Sequence, residues 1–488
     1  MKLKKLINGV NISSIKGDTD REIKRVIFDS REVGKGDMFV ALKGNSSDGH
    51  SFIGSAIESG AASILFEKGL YNSDSFVTGS ESPVFVEVED SHTALGEIAS
   101  TFYDEPSGKI KLVGITGTNG KTTTVTLLHR LFTSLGYKCG LISTIANYIG
   151  EERSDSTHTT PDPVKINSLL SEMNEAGCEF CFMEVSSHSL DQKRIAGLHF
   201  TGAIFSNITH DHLDYHKTFI EYIRVKKSFF DSLTAGAFAL TNLDDRNGEV
   251  MVQNCSAAIY TYSCLSPASF NCKIVEKGLD GMLIKIDNQE LWSRFIGVHN
   301  AYNLLAVYGA ATLLGAKKEE LLVAISALES VSGRLEYIKG GDNITAVVDY
   351  AHTPDALENV LKTLKDCAAG NEIITVFGCG GNRDKTKRPE MAAVSAKYSD
   401  KIVVTSDNPR FEEPESIIED IKKGFERAQL SRVLFITDRR EAIRTSVALA
   451  KPGSIILVAG KGHENYQDVK GVKHHFDDKE ILNEVFNM

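Results

Sequence analysis

The stretch Lys111-Leu-Val-Gly-Ile-Thr-Gly-Thr-Asn-Gly-Lys-Thr-Thr123 decides the fold of the central part of the chain. Its apolar start predicts a short strand, and the glycine-rich turn after it leads into an amphipathic helix that begins near Thr122. Such a turn lets backbone N–H groups approach a polyphosphate at the positive end of a helix, and it supplies a lysine for charge and a hydroxyl for Mg²⁺. We therefore predict a nucleotide site, which binds ATP through Gly117, Thr118, Asn119, Gly120, Lys121, Thr122 and Thr123.

One position departs from the strict phosphate-loop pattern G-x-x-x-x-G-K-[ST]. Ile115 stands where the pattern has its first glycine. An ordinary strand-to-helix turn that happens to contain Gly-Lys-Thr is the alternative interpretation. The strand before the turn and the helix after it favour the nucleotide site.

The composition restricts the class of protein. At 488 residues the chain is too long for one core, and about three domains are expected. Its hydrophobic content of 42% and charged content of 24% are typical of a soluble globular protein, and the net charge of −11 argues against a nucleic-acid partner. No apolar run reaches the roughly 18 residues of a membrane span, and polar sequence follows the initial Met-Lys-Leu-Lys-Lys. We expect a cytoplasmic monomer whose partners are small molecules, without membrane insertion.

The eight cysteines are scattered along the chain. Cys178 and Cys181 form a C-x-x-C pair inside an apolar segment, and no second pair follows at zinc spacing. We expect core thiols here, and no disulfide framework.

Residues 1–108 mix short strand patterns with one helix, which predicts a small N-terminal α/β domain. The segment Phe28-Asp-Ser-Arg31 places a hydroxyl and a guanidinium in a loop, where they could hold a phosphorylated or polar ligand. A solvated turn explains the same residues equally well. The sequence Glu105-Pro-Ser-Gly108 is typical of a linker.

Residues 109–335 alternate strands and helices, which predicts βαβ units and a central P-loop-type domain with a mostly parallel sheet. Ligands of such sheets bind at the carboxyl ends of the strands. Three motifs fall there: Gly117 to Thr122, Glu184-Val-Ser-Ser-His188 and Asn207-Ile-Thr-His-Asp-His-Leu-Asp214. The sequence therefore places the chemistry at one edge of the sheet.

Residues 336–488 form a second alternating set, which predicts a separate Rossmann-like domain. Its unusual residues also follow strands. They lie in Asp349-Tyr-Ala-His352, Gly378-Cys-Gly-Gly-Asn-Arg-Asp384, Ser406-Asp-Asn-Pro-Arg410 and Gly460-Lys-Gly-His-Glu464. Because the functional edges of the two sheets could face each other, we expect a cleft between these domains.

The residues near the predicted triphosphate favour Mg²⁺, which prefers hard oxygen ligands. The Thr122 hydroxyl and the Glu184 carboxylate would supply them. The cluster from His210 to His216 contains three imidazoles and permits a zinc site, but neither a cysteine nor H-E-x-x-H spacing accompanies it. We assign His212 to a second Mg²⁺, directly or through another ligand, and the remaining imidazoles to structural roles.

Six motifs together resemble those of the Mur ligase family, in the family's order and over nearly the whole chain. They are Gly117-Thr-Asn-Gly-Lys-Thr-Thr123, Glu184-Val-Ser-Ser-His188, Asn207-Ile-Thr-His-Asp-His-Leu-Asp214, His299-Asn-Ala-Tyr-Asn303, Ser332-Gly-Arg-Leu-Glu336 and Asp349-Tyr-Ala-His-Thr-Pro354. The resemblance implies ATP-dependent amide bond formation through an acyl phosphate, in peptidoglycan precursor synthesis. It also implies three domains that bind UDP-sugar, ATP and an incoming amino acid.

Two further segments narrow the resemblance within the family. Phe28-Asp-Ser-Arg31 and Thr159-Thr-Pro-Asp162 are similar to those of the members that extend UDP-N-acetylmuramoyl-L-alanyl-D-glutamate. The UDP-sugar contacts that this implies are Ser30, Asn45, Ser46, Ser47, Thr159, Thr160, Ser186, Gln192 and Arg194. The stretch 45–47 is assigned because its flanking motifs align with those of the family, and not because its own residues are identical to the family's.

The resemblance also assigns roles in the chemistry. It implies that Lys226 is carbamylated, which turns a cation into an anion that helps to hold Mg²⁺; the pair Lys226-Lys227 would otherwise be a solvated basic pair. Asn303 and Asp349 would position the nucleoside and Arg334 would contact phosphate, although each also fits an ordinary polar role at a helix or strand end. The implied catalytic residues are Lys121, Glu184, His212 and Lys226, and two Mg²⁺ ions are expected on Thr122, Glu184, His212 and the Lys226 carbamate.

The motif Asp407-Asn-Pro-Arg410 indicates which amine is added. An arginine guanidinium binds a carboxylate through two parallel hydrogen bonds, and it would repel the ammonium of a lysine side chain. The motif is similar to that of the meso-diaminopimelate-adding members. The resemblance completes this pocket as Arg388, Asp407, Asn408, Pro409, Arg410, Gly460 and Glu464, with Glu464 available for an ammonium.

Several functions stay open at this point. A lysine-adding member of the family is the near alternative, and a folylpolyglutamate synthase shares the ATP-domain architecture. From another class, the chain could be a nucleotide-gated binding module that hydrolyses ATP without making a product. A dinucleotide dehydrogenase is disfavoured because no G-x-G-x-x-G follows the early strands.

Overall fold

The computed structural model describes residues 1–44, 47–72, 82–156, 158–368 and 370–487, without the side chains of Leu213 and Asp214. The predicted substrate residues Asn45 and Ser46 lie outside the described residues. Within these ranges the strands form three large sheets and one hairpin, which confirms the three-part α/β fold. Each large sheet lies inside one predicted domain range, while the boundaries at 108/109 and 335/336 stay predictions. Across the same ranges, no helix combines the length and the apolar character needed to cross a bilayer.

The first sheet has five strands. They are β1 (Ile12–Lys16), β2 (Val26–Ile27), β3 (Met38–Val40), β4 (Ser63–Glu67) and β5 (Val84–Val88), with helices α1 (Leu3–Leu6), α2 (Ile53–Glu58) and α3 (Ser91–Phe102). The spatial order is β1-β5-β4-β3-β2, and only β1 runs antiparallel to its neighbour. Two apolar cores cover its faces, as expected for a small α/β domain.

The second sheet has eleven strands. They are β6 (Lys111–Thr116), β7 (Cys139–Ile142), β8 (Ala146–Ile149), β9 (Glu152–Asp155), β10 (Phe180–Glu184), β11 (Gly202–Phe205), β12 (Phe238–Asn242), β13 (Ala258–Ser263), β14 (Phe270–Lys277), β15 (Met282–Ile286) and β16 (Gln289–Ser293). The order is β16-β15-β14-β13-β12-β11-β6-β10-β7-β8-β9. The central strands from β14 to β7 are parallel, whereas the edge strands pair antiparallel. The strand that precedes the nucleotide turn, β6, therefore lies between β10 and β11, which precede the Glu184 and Asn207 motifs.

Helices cover both faces of this sheet. They are α4 (Lys121–Ser134), α5 (Pro163–Glu175), α6 (Ser187–Asp191), α7 (Leu213–His216), α8 (Phe219–Asp231), α9 (Gly248–Val252), α10 (Val298–Leu313) and α11 (Lys318–Ser326). One core joins α4 to α10, and a second joins α5 to α8. Packing explains why position 114 of β6 is a glycine, because a Cβ there would lie 2.6 Å from the ring of Phe229 on α8. The absent side chain lets α8 lie against the middle of the sheet.

The third sheet has six strands in the order β17-β18-β22-β19-β20-β21. They are β17 (Glu336–Lys339), β18 (Thr345–Asp349), β19 (Ile373–Phe377), β20 (Lys401–Val404), β21 (Val433–Phe435) and β22 (Ile455–Ala459); the separate hairpin is β23 (Tyr466–Val469) and β24 (Val472–His475). The helices are α12 (Pro354–Cys367), α13 (Lys387–Tyr398), α14 (Pro414–Lys422), α15 (Arg439–Ala448) and α16 (Asp478–Phe486). All neighbours in this sheet are parallel except β17 and β18, which agrees with a doubly wound domain.

Several elements were missed from the sequence, and two helices are shorter than predicted. The missed helices are α1, α3, α6, α7, α9 and α16, and the missed strands are β1, β8, β9, β13 to β17 and the hairpin β23–β24. Every residue of β9 and of β24 is exposed, so neither strand has the apolar alternation that sequence analysis depends on. The predicted helices 318–330 and 416–428 end at Ser326 and Lys422.

A buried ion pair attaches the last helix to the third sheet. Arg439 and Asp478 have fully buried side chains, and the guanidinium donates from Nε and Nη2 to the two carboxylate oxygens at 2.8 and 2.7 Å. The same Nη2 also donates to the carbonyl of Ala459, where β22 ends. Removing one partner would leave the other charge buried and unpaired, which is strongly unfavourable.

We predict that Asp478→Ala destabilises the protein by about 3 to 5 kcal/mol, measured as the shift of the urea-unfolding transition in the full chain. The matched control is Glu484→Ala, which removes the exposed Arg440–Glu484 pair from the same helix. Exposed pairs contribute little, so the control transition should barely move. Equal shifts for the two variants would contradict this account of the buried pair.

Candidate active site

The predicted nucleotide turn joins the end of β6 to the first turn of α4. Gly120 has a φ of 88° and precedes the first residue of the helix, Lys121. Gly117 has a φ of 153°, and a Cβ there would lie 1.9 Å from the hydroxyl of Ser206. Only glycine fits at 117, and the first N–H groups of α4 face outward from the turn, where an anion can accept from them.

The residues after β11 hold this turn in place. The N–H groups of Thr118 and Asn119 donate to the backbone carbonyl and side-chain oxygen of Asn207, at 2.8 and 3.0 Å. Asn207 Nδ2 and Ser206 Oγ donate to the carbonyl of Asn119, at 3.1 and 2.6 Å. The sequence placed Asn207 within a motif but gave it no role, because its partner is 88 residues away in the chain.

Two lysine amines converge on the same turn. Lys121 Nζ donates to the carbonyls of Gly117 and Thr118 at 2.9 and 2.8 Å, and Lys226 Nζ donates to the carbonyl of Gly117 at 2.9 Å. The Lys226 amine also lies 4.8 Å from the centre of the Tyr222 ring. Burial, followed by the positive charge of Lys121, holds the pKa of Lys226 well below its usual value. An uncharged amine is a nucleophile, so this lysine is suited to covalent modification.

Lys227, the neighbour in the sequence, has a different environment. Its Nζ pairs with Asp231 at 2.5 Å, one turn further along α8. The Lys227 side chain is 14% exposed and Lys226 has only 1% of its surface exposed, so neither is the solvated lysine of the default interpretation.

Two hard oxygens lie at the start of α4. The Thr122 hydroxyl donates to Glu184 Oε2 at 3.0 Å, and the other carboxylate oxygen accepts from the N–H of Thr144 at 2.8 Å. Glu184 is fully buried at the end of β10. These donors fit Mg²⁺, which is usually held by one or two protein oxygens together with substrate phosphates.

His212 lies beside this group with a φ of 53°, a conformation uncommon for residues other than glycine. Its Nε2 is 3.5 Å from Asp211 Oδ2, and its ring centroid is 4.9 Å from that of His188. Among the residues that the structure describes, no three His, Cys, Asp or Glu side chains are grouped to hold a metal ion. The geometry therefore offers no support for the zinc alternative. The assignment of His212 to a second Mg²⁺ stays a prediction.

The predicted substrate residues of the central domain form one hydrogen-bonded group beside Glu184. Thr160 Oγ1 donates to the carbonyl of Glu184 at 2.8 Å and accepts from the N–H of Ser186 at 3.1 Å. The remaining links are Arg194 Nη1 to the Thr160 carbonyl at 2.7 Å, Arg194 Nη2 to Gln192 Oε1 at 2.7 Å and Thr144 Oγ1 to Thr159 Oγ1 at 3.1 Å. Ser30 and Ser47 lie in the N-terminal domain, in a short 3₁₀ turn and in a loop closed by Gly44.

A cavity of about 360 Å³ opens between the central and C-terminal domains next to the nucleotide turn. The predicted nucleoside residues Asn303 and Asp349 line it, and so does Arg334, the predicted phosphate contact. Asn303 Oδ1 lies so close to Gly120 that a Cβ there would be 2.5 Å away. Arg334 Nη2 is 3.4 Å from Thr122 Oγ1, and both oxygens of Asp349 accept backbone N–H groups at 2.7 and 2.8 Å. The cleft expected between the two sheets is confirmed by these contacts.

Asp355 joins the two domains across this cleft and was not predicted as a site residue. Its Oδ2 accepts from Asn119 Nδ2 at 3.0 Å and from Thr209 Oγ1 at 3.1 Å. Burial raises the pKa of this carboxyl, and the hydrogen bonds from the two partners oppose that rise. The side chain of a residue in the C-terminal domain thus contacts the nucleotide turn directly. No local sequence signal marks this residue.

A second pocket forms in the C-terminal domain. Asn408 Nδ2 donates to Glu464 Oε2 at 2.8 Å, while Arg410 has a φ of 53° and donates from Nη1 to the carbonyl of Gly381 at 2.8 Å. Asp407 Oδ2 is buried without a hydrogen-bond partner among the described residues, and it lies 2.7 Å from where a Cβ on Gly460 would be. The structure therefore brings Asn408 together with Glu464 and Asp407 together with Gly460, while the Arg410 guanidinium lies on the adjoining loop beside Gly380 and Gly381.

Arg388 and Pro409 have local partners. The fully buried guanidinium of Arg388 binds Glu412 and Asp420, with bonds of 2.9 to 3.1 Å. Its Nη2 is 3.4 Å from the carbonyl of Gly380, beside the pocket. The carbonyl of Pro409 packs where a Cβ on Gly381 would lie, at 1.9 Å. Arg388 thus supports the loop that carries Arg410, and its direct contact with an amino acid stays a prediction.

The comparisons with known protein families agree with this architecture. The Mur ligase family catalytic domain matches residues 22–103, the Mur ligase middle domain matches 115–311, and the Mur ligase glutamate ligase domain matches 333–462. A three-domain chain with a nucleotide turn at an interdomain cleft is the arrangement of an ATP-dependent, ADP-forming amide ligase. The chain belongs to the Mur ligase family.

Individual relatives match over the whole length. The UDP-N-acetylmuramoyl-L-alanyl-D-glutamate--2,6-diaminopimelate ligases of Phocaeicola vulgatus and Cytophaga hutchinsonii are each 53% identical, covering 100% of this chain and 99% of theirs. A solved structure of a ligase with the same name has a TM-score of 0.70 at 32% identity, covering 100% of this chain and 99% of that one.

We predict that Asp355→Ala raises the KM for ATP about tenfold, equivalent to about 1.4 kcal/mol, because the C-terminal domain loses its contact with the nucleotide turn. Glu358→Ala is the matched control, since Glu358 lies on the same helix but pairs with Lys397 away from the cleft. An unchanged KM for ATP in Asp355→Ala would contradict a role for this contact.

Proposed function

We propose that this protein joins meso-2,6-diaminopimelate to UDP-N-acetylmuramoyl-L-alanyl-D-glutamate, with conversion of ATP to ADP, in the cytoplasmic synthesis of peptidoglycan precursors. The loop from Asp407 to Arg410 is the observation that carries the proposal. Asn408 binds Glu464, and the Arg410 guanidinium donates to Gly381, whose own N–H donates to the carbonyl of Asn408. The names of the 53% identical relatives support the same substrates. ATP and UDP-sugars are cytosolic nucleotides, which supports the location.

The activating half of the reaction would take place at the nucleotide turn. ATP would bind with its phosphates on the N-terminus of α4 and its nucleoside in the cavity lined by Asn303 and Asp349. The substrate carboxylate would then attack the γ-phosphorus, and ADP would leave from the resulting acyl phosphate. Lys121, which now donates to the loop carbonyls, would turn toward the phosphates and offset the developing negative charge.

Mg²⁺ would be held by Thr122 and Glu184, with His212 and a carbamate on Lys226 completing two sites. When bound, the metal would neutralise phosphate charge. The amine of Lys226 would add to carbon dioxide and release one proton, which yields a carbamate anion. The low pKa of this buried amine supports the step, because only the neutral amine is nucleophilic.

The amine that attacks the acyl phosphate would come from the C-terminal pocket. Arg410 would bind a carboxylate of diaminopimelate through paired hydrogen bonds, and Glu464 would face an ammonium group. Lysine has an ammonium where diaminopimelate has this second amino acid centre, so Arg410 would disfavour lysine. Water must be excluded from the acyl phosphate, which the interdomain contact through Asp355 would help to do.

Arg410→Ala tests the choice of amino acid. We predict a loss of about 2 to 3 kcal/mol in kcat/KM for diaminopimelate, or about 30- to 150-fold, and no comparable loss for L-lysine. ADP release with each amino acid is the measurement. Lys470→Ala is the matched control, because this exposed lysine of the adjacent turn pairs outward with Glu413. Wild-type turnover that is faster with lysine than with diaminopimelate would favour a lysine-adding ligase.

The same assay distinguishes the proposed ligase from a binding module and from a folate-modifying enzyme. ADP release without all three substrates would favour a nucleotide-gated binding module. Amide formation with a folate and no reaction with UDP-muramoyl dipeptide would favour a folylpolyglutamate synthase.

Lys226→Ala tests the carbamate. We predict a loss of about 10³-fold in kcat, with partial recovery when acetate or formate is added, because a small carboxylate can take the place of the missing carbamate. The control is Lys227→Ala, whose amine pairs with Asp231 outside the site. Full activity of Lys226→Ala without added carboxylate would remove Lys226 from the mechanism.

A further inference from the structure

Lys461 is a fully buried lysine in the loop that carries Gly460 and Glu464, and it was not predicted as a site residue. Its Nζ lies 3.0 Å from Asn408 Oδ1 and 3.5 Å from Glu464 Oε2. A buried ammonium is unfavourable unless it is paired and hydrogen-bonded. Both of its partners belong to the amino-acid pocket, so its burial serves that pocket.

Lys461 and a backbone N–H together fix the orientation of the Asn408 amide. Asn408 Oδ1 accepts from Lys461 Nζ and from the N–H of Asp468, both at 3.0 Å. An ammonium and a backbone N–H can only donate, so the amide oxygen must face them. The amide nitrogen consequently faces Glu464 and donates to it at 2.8 Å.

Lys461 also affects the pKa of Glu464. Burial raises the pKa of Glu464 and the charge of Asp407 raises it further, whereas Lys461 and the Asn408 amide lower it. Within the part of the chain that the structure describes, the other charged or titratable groups that act on or contact Glu464 are the buried Arg439, the Tyr350 hydroxyl at 3.5 Å from Oε1, and the Tyr466 phenol. Arg439 is already neutralised by Asp478. Among the described residues, Lys461 is therefore the cation that lowers the pKa of Glu464.

We propose that Lys461 is a positioning residue that keeps Glu464 ionised and holds the Asn408 amide against it, so that the pocket presents a carboxylate to an ammonium group of the incoming amino acid. This inference rests on the proposed function of the pocket. Lys461 itself has its donors directed at Asn408 and Glu464, so it acts through them and does not contact the reacting atoms.

The first test compares Lys461→Met with wild type in steady-state assays over roughly pH 6 to 9. We expect the KM for diaminopimelate to rise about tenfold or more near neutral pH, while kcat changes less than about threefold. Removing the lysine removes an ammonium that lowers the pKa of Glu464, so this pKa rises further in the variant and a higher pH is needed to ionise the carboxylate. The ratio of mutant to wild-type KM should therefore fall as the pH rises, and this ratio cancels the titration of the substrate's own amines.

Lys473→Met is the matched control. Lys461 and Lys473 both lie over the Tyr466 ring, at 5.6 and 4.1 Å from its centroid, but Lys473 belongs to the exposed strand β24. The control should leave KM and its pH dependence unchanged. A KM ratio for Lys461→Met that does not vary with pH would overturn the proposal.

A double-mutant cycle tests whether Lys461 acts through Glu464. In a Glu464→Gln background, Lys461→Met should add little further increase in KM. Additive effects would overturn the proposal. If Lys461→Met does not fold, Lys461→Gln takes its place, since it keeps a donor for Asn408 and loses only the charge; the same pH-dependent KM ratio is expected, and a flat ratio contradicts the inference.

An error in the proposed function would show in the wild-type assay, separately from the result of the Lys461 test. Wild-type protein that uses L-lysine instead of diaminopimelate would contradict the assignment of the substrate. The KM comparison with lysine as the probe would then test Lys461 by itself, because an ammonium group is common to both amino acids.

Discussion

The close approach of Gly117 to Ser206 is the constraint on which the nucleotide site depends. A Cβ at 117 would lie 1.9 Å from the Ser206 hydroxyl, so the ends of β6 and β11 can meet only if that position is a glycine. Once they meet, Asn207 binds the backbone of the turn and α4 begins with its N–H groups directed at the phosphate position. The residue that the strict motif requires to be glycine, Ile115, is instead a fully buried core residue of β6. The glycine that this fold requires is two positions later.

The charges of the two halves of the site are complementary to their proposed ligands. Lys121 and Arg334 lie at the turn, where a triphosphate would offset their positive charge. In the C-terminal pocket Glu464 lies beside Lys461 and is also influenced by the charge of Asp407, while Arg410 supplies a second cation on the adjoining loop, an arrangement suited to a zwitterionic amino acid. Buried unpaired charge is unfavourable, so each pocket has a reason to bind a ligand of the opposite charge pattern.

The sequence predicted the elements that have a clear apolar pattern and the motifs that follow them. The strand from Lys111 and the helix after it were found to within one residue, because buried parallel strands are continuous apolar runs. The strand β9 was missed since all four of its residues are exposed and only backbone pairing with β8 defines it. Arg388 was predicted in the pocket, but its two partners, Glu412 and Asp420, could be identified only from the fold.

The sequence by itself determined the family, the three α/β parts and which short motifs carry the chemistry, because these depend on local patterns of residue types. Only the tertiary structure decided the environment of each group. Burial beside Lys121 lowers the pKa of the Lys226 amine, whereas the amine of Lys227 pairs with Asp231 on the same helix. Contact between domains brings Asp355 to Asn119, which is 236 residues away in the chain. Solvent exclusion and long-range contacts arise only when distant segments pack together, so no local pattern encodes them.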